Sequence, residues 1–540
     1  VKMKGKWKIP SFIMATILCV AIFAGCGTQE NTSSASNEPA VSGAADTTKQ
    51  IDTMVIGTTM KITSISRETY DFDVLSGTLT HMALVKQDEN GDLKPFMAES
   101  FETKDNKTWT FQLRKGLTWH DGEPVTAQDV KFTAELQNTF PNYTIRVVDD
   151  QTVEFVSETE NARLPIDLVT FRILPEHIFK DVTDLETFTD EKSAIGNGPY
   201  EFVKFDESAG TLEFKAYENY IDGKPNVDKI IVKLYANTDT LYMALEKGEI
   251  DMVYFYANGI DANEAKKLES NKDITLQVVP DTGITLMYFN TQAEPVNNAD
   301  IRKGIAYAID YEQMAKLFGT EYATTGNFGI IPKGSFGYID TEKLTRDIEK
   351  SKQYLEQAGA KDSNQDGILE YNGKDLELEI LVRTDKPTYA RMAELITANL
   401  KEVGIQVVQK SVDTAQFRTI SEQERGHVAM LTRATPWGMV MKQGAGVPYM
   451  DSRSKTGMAN VNDSAFQELA DKMGTSNSDE YADLVADVQR YYAENVPAIP
   501  MYWDQFIQAY NSDFHDFTVD GTFGLLNMDT WYSITKEVTE

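Results

Sequence analysis

The distribution of cysteine restricts the fold of this chain more than any other feature of its sequence. The chain of 540 residues contains two cysteines, Cys19 and Cys26, and none follows Cys26. The long remainder of the chain therefore cannot form internal disulfide bonds, and packing alone must stabilise it. Apolar residues make up 41% of the chain and aromatic residues 10%, which is typical of a globular protein. The length suffices for two or three domains with a large core.

The amino end has the layout of a secretory leader. Four lysines precede an apolar run from Phe12 to Ala24, and Gly25–Gly27 follow. The apolar run is short for a membrane span, and small residues mark a cleavage point. The stretch that ends at Cys26 resembles the bacterial lipobox, although Phe23 replaces the usual leucine. We predict a signal peptide over residues 1–25, a lipid on Cys26 and anchoring at the outer face of the cytoplasmic membrane. The alternative is a simple leader with a chance cysteine.

The next segment and the overall charge limit the partners of the chain. Residues 26–52 are rich in Ser, Thr, Ala and Asn, which predicts a lipid anchor followed by a disordered tether. The chain has 83 acidic and 52 basic residues, a net charge of −31. This charge disfavours nucleic acid and anionic lipid as partners, and it serves equally to keep an exported protein soluble. No later segment is apolar and long enough to cross a membrane.

From Thr53 onward, short strand-like runs alternate with amphipathic helices, which indicates an α/β fold with mixed sheets. One predicted helix begins at Thr126. Three others cover Leu241–Leu245, Ile301–Ile309 behind a cap at Asp300, and Met392–Val403. The predicted strands cover Thr108–Leu113, Ile250–Phe255 and Ile405–Val408. The alternating residues Trp109, Phe111 and Leu113 are predicted to lie in the core.

Three blocks carry a resemblance to a known family. Pro95–Phe101, Thr108–Gly116 and Trp119–Val130 closely resemble the hallmark block of family 5 solute-binding proteins, the peptide- and nickel-type extracytoplasmic receptors of ABC importers. Later blocks that are similar to those of the family follow in the expected order. They are Gly196–Tyr200, Ala244–Asp251, Phe289–Thr291, Arg302–Asp310 and Val496–Pro500.

The resemblance implies a two-lobed, periplasmic-binding-protein-like (type II) α/β fold with a hinge and an extra inserted domain. Lobe I would comprise residues 53–84, 191–286 and 500–540, the inserted domain II residues 85–190, and lobe III residues 287–499. The implied protein is a monomer without cofactor or catalytic residues. It would capture a small solute between its lobes and deliver it to an ABC permease and its ATPase.

The same resemblance suggests which residues hold the ligand. Phe171–Ile178 is similar to a segment of nickel-type receptors whose arginine holds the carboxylate of a metal chelator, which assigns that role to Arg172. Thr432–Met439 lacks the acidic stretch of peptide-type receptors and looks like its nickel-type counterpart, with Arg433 as a second clamp. Guanidinium groups offer paired donors that match a carboxylate. The favoured ligand is therefore nickel or another transition metal as a small carboxylate chelate of the histidine type. The alternative is a dipeptide or oligopeptide.

Aromatic residues could supply the walls of the ligand site. The candidates are Trp437, Tyr449, Trp503 and Trp531, and ordinary core packing is the alternative for each. The chain has only five histidines, so we predict no protein metal site and expect a metal to arrive already chelated.

Two further motifs have structural interpretations. His120 and Asp121 could suggest metal or acid–base chemistry, but a loop residue that bonds its own turn is favoured. Asp362–Glu370 imitates the start of a calcium loop, although Gly373 stands where an EF-hand has glutamate, so a solvated turn is favoured. No catalytic signature of a hydrolase is present, which disfavours an enzyme, and a sensor or adhesin with the receptor fold stays open.

Overall fold

The computed structural model describes residues 47–537, apart from 49, 68, 89–92, 186, 257–258, 334, 336, 435–444, 477 and 521–522. The predicted signal peptide, Cys26, the tether up to residue 46 and Trp437 lie outside the described residues. Within the described part, no helix combines the length and the hydrophobicity that a membrane span requires.

Strands supply most of the framework. They are β1 (Thr47–Thr48), β2 (Ile51–Thr58), β3 (Val85–Gln87), β4 (Leu93–Pro95), β5 (Ala98–Thr103), β6 (Thr108–Leu113), β7 (Thr144–Asp149), β8 (Thr152–Val156), β9 (Tyr200–Asp206), β10 (Thr211–Ala216), β11 (Val227–Leu234), β12 (Met252–Val253), β13 (Ile274–Phe289), β14 (Ala323–Thr324), β15 (Glu370–Tyr371), β16 (Lys374–Asp375), β17 (Glu377–Arg383), β18 (Gln406–Val412), β19 (Ala429–Ala434), β20 (Ala498–Asn511), β21 (Phe514–His515) and β22 (Thr535–Glu537).

The helices pack on these strands. They are α1 (Tyr70–Leu79), α2 (Ala127–Leu136), α3 (Leu164–Asp167), α4 (Glu176–Phe179), α5 (Thr238–Glu246), α6 (Ala262–Leu268), α7 (Ala299–Ala308), α8 (Tyr311–Met314), α9 (Ile348–Gln357), α10 (Pro387–Lys401), α11 (Thr414–Arg418), α12 (Val447–Met450), α13 (Ser464–Thr475), α14 (Ser478–Asn495) and α15 (Thr530–Ser533).

The largest sheet consists of two halves that one strand pair joins. One half has the order β18–β17–β19–β13, and the other has the order β20–β12–β2–β11–β10–β9, with β14 beside β20. Strand β2 is parallel to β11 and β12, and β17 is parallel to β18 and β19. Strands β13 and β20 are antiparallel to their neighbours. Each half is therefore a mixed sheet, which confirms the predicted α/β class.

Strands β13 and β20, which we call the crossing strands, form the pair that joins the two halves. They are paired from Ile274 opposite Asn511 to Tyr288 opposite Ala498, and their register shifts between Val279 and Gly283. Such a shift bends and twists a strand pair, so the two halves meet at a bend. The predicted lobe boundaries at 286 and 500 fall on these strands, and the assignment of residue ranges to the lobes stays a prediction.

A smaller antiparallel sheet of order β5–β6–β8–β7 has its own core. Trp109, Phe111 and Leu113 alternate along β6 and are buried together, which confirms them as core residues. Phe171 belongs to the same cluster. The core of the small sheet therefore fixes the residue that precedes Arg172.

Most predicted elements are present with shifted ends. Helix α2 follows Thr126, whose N–H donates to Asp129 Oδ2 at 2.8 Å, and β6 covers the predicted residues. The cap predicted for α7 was wrong: Asn298, not Asp300, caps this helix, and its side chain accepts from the Asp300 N–H at 2.8 Å. A capping residue precedes the first turn of the helix, and its side chain accepts from the free N–H groups of that turn. Asp300 lies within the first turn.

Candidate functional site

The parallel strands of both sheet halves end at one crevice. In one half β2 ends at Thr58, and in the other β17 ends at Arg383 and β18 at Val412. Ligands of α/β proteins bind outside the carboxyl ends of such strands, where the loops carry specific side chains. A cavity of about 670 Å³ lies here, and both halves line it, with Asp261 from one and Tyr389 from the other. This crevice is the candidate site.

Aromatic side chains line one side of the crevice. Tyr70 and Tyr256 meet edge-on with ring centroids 6.3 Å apart, and Tyr256 packs against Phe523 at 5.9 Å. Tyr70 is 56% exposed, yet burial by the surrounding protein raises the pKa of its hydroxyl to about 12, and Tyr449 of the other sheet half raises it too. A side chain that is both accessible and desolvated lies in a concave surface. We call Tyr70, Tyr256, Tyr449 and Phe523 the aromatic wall.

Arg172 lies beside the aromatic wall in a buried ion-pair cluster. Its Nη1 donates to Asp73 Oδ2 at 2.6 Å, and Asp73 Oδ1 accepts from Arg67 Nη2 at 2.6 Å. The side chains of Arg172 and Arg67 are 9% and 3% exposed. The guanidinium groups of Arg172 and Arg67 thus contact the same carboxylate. A partly desolvated positive charge favours an anionic partner.

Arg433 lies on another side of the crevice. Its Nε is 3.2 Å from both carboxylate oxygens of Asp504, and its side chain is 7% exposed. Arg433 is opposite Thr285, and Thr285 is opposite Tyr502, so all three share one face of the sheet. The structure thus pairs Arg433 with an acid of the protein, and its role as a second clamp stays a prediction that requires this pair to open.

The predicted aromatic residues lie in different places. Trp503 neighbours Tyr502 along β20 and therefore faces the opposite side of the sheet from Arg433. Its Nε1 donates to the carbonyl of Ile330 at 2.7 Å. Trp503 and Tyr449 both pack against one hydrophobic cluster. The structure thus brings Tyr449 to the same wall as Arg172, and it does not bring Arg433 there.

Three site residues were missed from the sequence, and they lie on one helix. Tyr70, Asp73 and Gly77 are spaced by three and four residues on α1, so they share a helix face. A Cβ atom added at Gly77 would lie 2.2 Å from Arg172 Nε, which means that only glycine leaves room for the guanidinium. The spacing was visible in the sequence, but nothing in it indicated that this face turns toward Arg172.

The interpretation of His120 as a residue bonding its own turn was wrong. Its Nδ1 accepts from the Gly196 N–H at 3.1 Å, and its Nε2 donates to the Gly198 carbonyl at 3.0 Å. Asp121 does bond its own turn, since its Oδ1 accepts from the Glu123 N–H at 3.3 Å, and its Oδ2 also lies 2.8 Å from His177 Nε2. The cause is tertiary, since the ring bridges two blocks that are 76 residues apart. His120 is a structural residue of the described fold.

The acidic turn that imitates a calcium loop is exposed. Asp362 accepts from the N–H groups of Gln365 and Gly367 at 2.7 and 3.0 Å, and Asp366 accepts from the Ile368 N–H at 2.8 Å. These bonds fit the predicted solvated turn. Among the described residues, no group of three or more His, Cys, Asp and Glu side chains is arranged to hold a metal ion.

Comparison with known proteins places this geometry in a family. Residues 92–450 match the model of the bacterial extracellular solute-binding proteins, family 5 Middle. The chain is 24% identical over 559 residues to the oligopeptide-binding protein AppA of Bacillus subtilis, with 97% of this chain and 99% of AppA aligned. It is 27% identical over 346 residues to the dipeptide-binding protein of Escherichia coli, and that match covers 58% of this chain and 62% of the relative.

Solved structures share the fold. NikZ from Campylobacter jejuni in complex with Ni(L-His) superposes with a TM-score of 0.76 at 22% identity, covering 90% of this chain and 99% of NikZ. The two-lobed type II architecture is therefore the fold of this protein, which confirms the predicted fold class.

Proposed function

Because the chain belongs to family 5 of the bacterial extracellular solute-binding proteins, we propose that its crevice captures a small solute that carries a carboxylate. The two sheet halves would close over the solute by bending at the crossing strands, where the register shifts between Val279 and Gly283. Closure of this kind excludes water and strengthens charged contacts. No chemical step is assigned to the site.

The observation that carries the proposal is the cluster of Arg172, Asp73 and Arg67. It places the guanidinium of Arg172 beside the aromatic wall, and the side chain of Arg172 is only 9% exposed. A ligand carboxylate would accept from the Arg172 N–H groups that remain beside the Nη1 contact to Asp73. The tyrosines of the wall offer apolar surface with polar tips, which suits an amphipathic solute.

A metal chelate is the first candidate solute. Arg172 occupies the position that resembles the chelator-binding arginine of nickel-type receptors, and NikZ was solved with Ni(L-His). The described residues offer no cluster of metal ligands, so the metal would arrive with its ligands, nickel or another transition metal with histidine-type carboxylates.

A dipeptide or oligopeptide is the second candidate, and two observations favour it. The crevice includes the cavity that Arg433 and Asp504 line, which gives room for a longer solute. The relatives AppA and the dipeptide-binding protein are peptide binders by name. In a peptide complex Arg172 would hold the terminal carboxylate.

The remaining predictions complete the proposal. An ABC permease and ATPase would receive the solute, and the lipid on Cys26 would hold the protein at the outer face of the membrane. Residues 53–84, 191–286 and 500–540 would form lobe I, 85–190 domain II and 287–499 lobe III. The protein would act as a monomer.

Titration calorimetry tests the function. Nickel with free L-histidine and a mixture of dipeptides and tripeptides are titrated separately into the protein. We expect one of the two to bind, and we expect Arg172→Ala to weaken that binding at least about tenfold, because a charged hydrogen bond is lost. Arg114→Ala removes a half-buried arginine that pairs with Asp222 and serves as the control with unchanged affinity. An unaltered dissociation constant for Arg172→Ala would argue against the clamp, and absence of binding by both probes would refute both candidate solutes.

A further inference from the structure

We propose that residues 161–167 act as a latch that holds the crevice closed. This segment, which we call the latch, belongs to the unit of the small antiparallel sheet, and it contacts the sheet half that contains β17, β18 and β19. The contact forms when the two sheet halves close and breaks when they separate. The inference rests on the closure in the proposed function, and it adds a determinant of how long a solute stays bound, apart from the contacts of the solute itself.

The latch is anchored in the core of the small sheet. Trp109 Nε1 donates to the Asn161 carbonyl at 3.0 Å, and the Asn161 N–H donates to the Asn106 carbonyl at 2.7 Å. Leu164 is fully buried in the cluster that also contains Trp109 and Phe111. The latch therefore moves together with the small sheet.

The small sheet is itself fixed to the sheet half that contains β9, β10 and β11. The hydroxyl of Tyr217, which follows β10, donates to the Trp119 carbonyl at 3.0 Å. Tyr217, Tyr220 and Met528 are buried in the same cluster as Trp119. A close-packed core of this kind does not separate without a large loss of contacts. The small sheet and the latch therefore follow this half when the crevice opens.

A backbone hydrogen bond joins the latch to the other half. The Ala162 N–H donates to the Ser476 carbonyl at 3.2 Å. Ser476 directly follows α13 and is buried. Met473 of α13 lies in one buried cluster with Met430 of β19, so Ser476 belongs to the half that contains β19. The bond therefore crosses between the two halves, and their separation breaks it.

Side chains of the latch also act on the other half. Tyr481 lies on α14 and is only 5% exposed. Burial raises the pKa of Tyr481 to about 12, while Arg163 lowers this pKa and Asp167 raises it. The charged groups of Arg163 and Asp167 thus lie near the Tyr481 hydroxyl, which is on the opposite side of the contact.

The same contact contains a group that opposes closure. Arg163 Nε is buried and has no hydrogen-bond partner among the described residues. The ion pair of Arg163 runs from Nη2 to Asp167 Oδ1 at 3.6 Å and stays within the latch. A buried donor without a partner costs free energy, and water can satisfy it once α14 has moved away. The Ala162 bond therefore favours the closed state, and Arg163 Nε favours the open state.

Opposed contributions at one contact keep both states accessible. The fraction of closed molecules then depends on the latch as well as on the solute, because a ligand shifts an equilibrium whose starting position the protein sets. Removing the Ala162 N–H and removing Arg163 Nε should therefore change this fraction in opposite directions.

Distances between spin labels test the latch in the full chain. Cys19→Ser and Cys26→Ser remove the native thiols, and labelled cysteines replace exposed valines. Val148→Cys on β7 with Val408→Cys on β18 reports the separation of the small sheet from the other half. Val148→Cys with Val203→Cys on β9 is the control pair, since both sites follow the same half. We expect two distances for the first pair and one distance for the control pair.

Variants of the latch are then compared in this labelled background. Ala162→Pro removes the N–H donor, and Ala162→Ser keeps it and serves as the control. We expect the ratio of closed to open molecules without solute to fall at least about threefold in Ala162→Pro, because a hydrogen bond is lost, and to stay unchanged in Ala162→Ser. Arg163→Lys keeps the positive charge and lacks Nε, so we expect the ratio to rise at least about threefold. Exchange of bound nickel–histidine or peptide, whichever binds, should be faster in Ala162→Pro and slower in Arg163→Lys.

The outcomes separate the latch from the function. If the latch variants leave the distances between positions 148 and 408 unchanged, the contact is a permanent interface, and the latch is overturned while the function stands. A solute-dependent distance between positions 148 and 203 would also overturn it, because the small sheet would then not follow its half. If Ala162→Pro does not fold, Arg163→Lys alone decides. If neither probe solute binds but the variants shift the closed fraction in opposite directions, the proposed function fails and the latch stands.

Discussion

Asp73 controls the charge of the crevice at the level of single residues. It is the one carboxylate that Arg67 and Arg172 share, with both contacts at 2.6 Å. Without it, two buried guanidinium groups would face each other across α1. A buried charge that loses its partner is strongly destabilising, whereas an exposed pair contributes little.

Asp73→Asn should therefore lower the free energy of unfolding by about 2–3 kcal/mol, because Asp73 is partly exposed and the full cost of a buried pair is discounted. Asp222→Asn removes an acid that pairs with Arg114 at a more exposed position and should cost less than about 1 kcal/mol. Urea unfolding of the two variants checks the difference. Equal effects would show that the cluster around Asp73 contributes no more than a surface ion pair.

His120 makes the stability depend on pH. Burial lowers its pKa from 6.5 to about 4, and protonation of Nδ1 would break the bond from the Gly196 N–H. Between these two values the unfolded chain binds a proton that the folded protein does not, so the free energy of unfolding falls as the pH falls and levels off below about pH 4. His120→Asn should have a flatter profile over this range. Denaturant unfolding from pH 7 to pH 4 measures it, and identical slopes would contradict the assignment.

The elements follow from the sequence more closely than the site does. Strand β6 covers its predicted residues, and helix α10 covers its predicted apolar positions up to Leu400 and ends before Val403, because alternation and a 3.6-residue repeat are local properties. Tertiary partners were not visible in the same way. The interpretation of His120 was wrong because its partners Gly196 and Gly198 are distant in sequence.

The site was predictable only where a motif fixed it. Arg172 was found through a resemblance, while Asp73 and Gly77 were not found. A carboxylate and a glycine on a helix are ordinary features of a surface or a core. Only the packing of α1 against the segment of residue 172 gives them a role.

A substitution of Gly196 tests how the segment around this residue packs against Thr80 and His81. A Cβ atom at this position would lie 1.9 Å from the Thr80 carbonyl oxygen and 2.9 Å from His81 Cε1, so the backbone would have to shift. Gly196→Ala should lower the free energy of unfolding by about 3 kcal/mol, as overpacking in a tight core does. Gly474→Ala is the control, since nothing lies within 4 Å of its Cβ and alanine favours a helix. In thermal unfolding, the melting temperature of Gly196→Ala should lie below that of the wild type, and the melting temperature of Gly474→Ala should not. An unchanged melting temperature for Gly196→Ala would show that the protein accommodates the added Cβ atom.

At the scale of the whole molecule, the crossing strands are the only strand connection between the sheet halves in the described chain. Two halves joined by a bent strand pair can open and close with little loss of internal packing. Contacts across the crevice must then be few and reversible. One of them is between Thr388 Oγ1 and Asp261 Oδ2, which lie 3.5 Å apart on opposite halves.

A disulfide at this contact should lock the molecule. With Asp261→Cys and Thr388→Cys combined, the side chains are close enough for a bond to be attempted, and the chain has no cysteine after Cys26 to compete. We expect the oxidised protein to exchange bound solute at least about tenfold more slowly, because opening at the crossing strands precedes release. Reduction should restore the rate, and the two single variants should exchange at the wild-type rate. A competition experiment with labelled solute measures the exchange. Equal rates in the oxidised and reduced states would mean that the solute leaves without separation of the two halves.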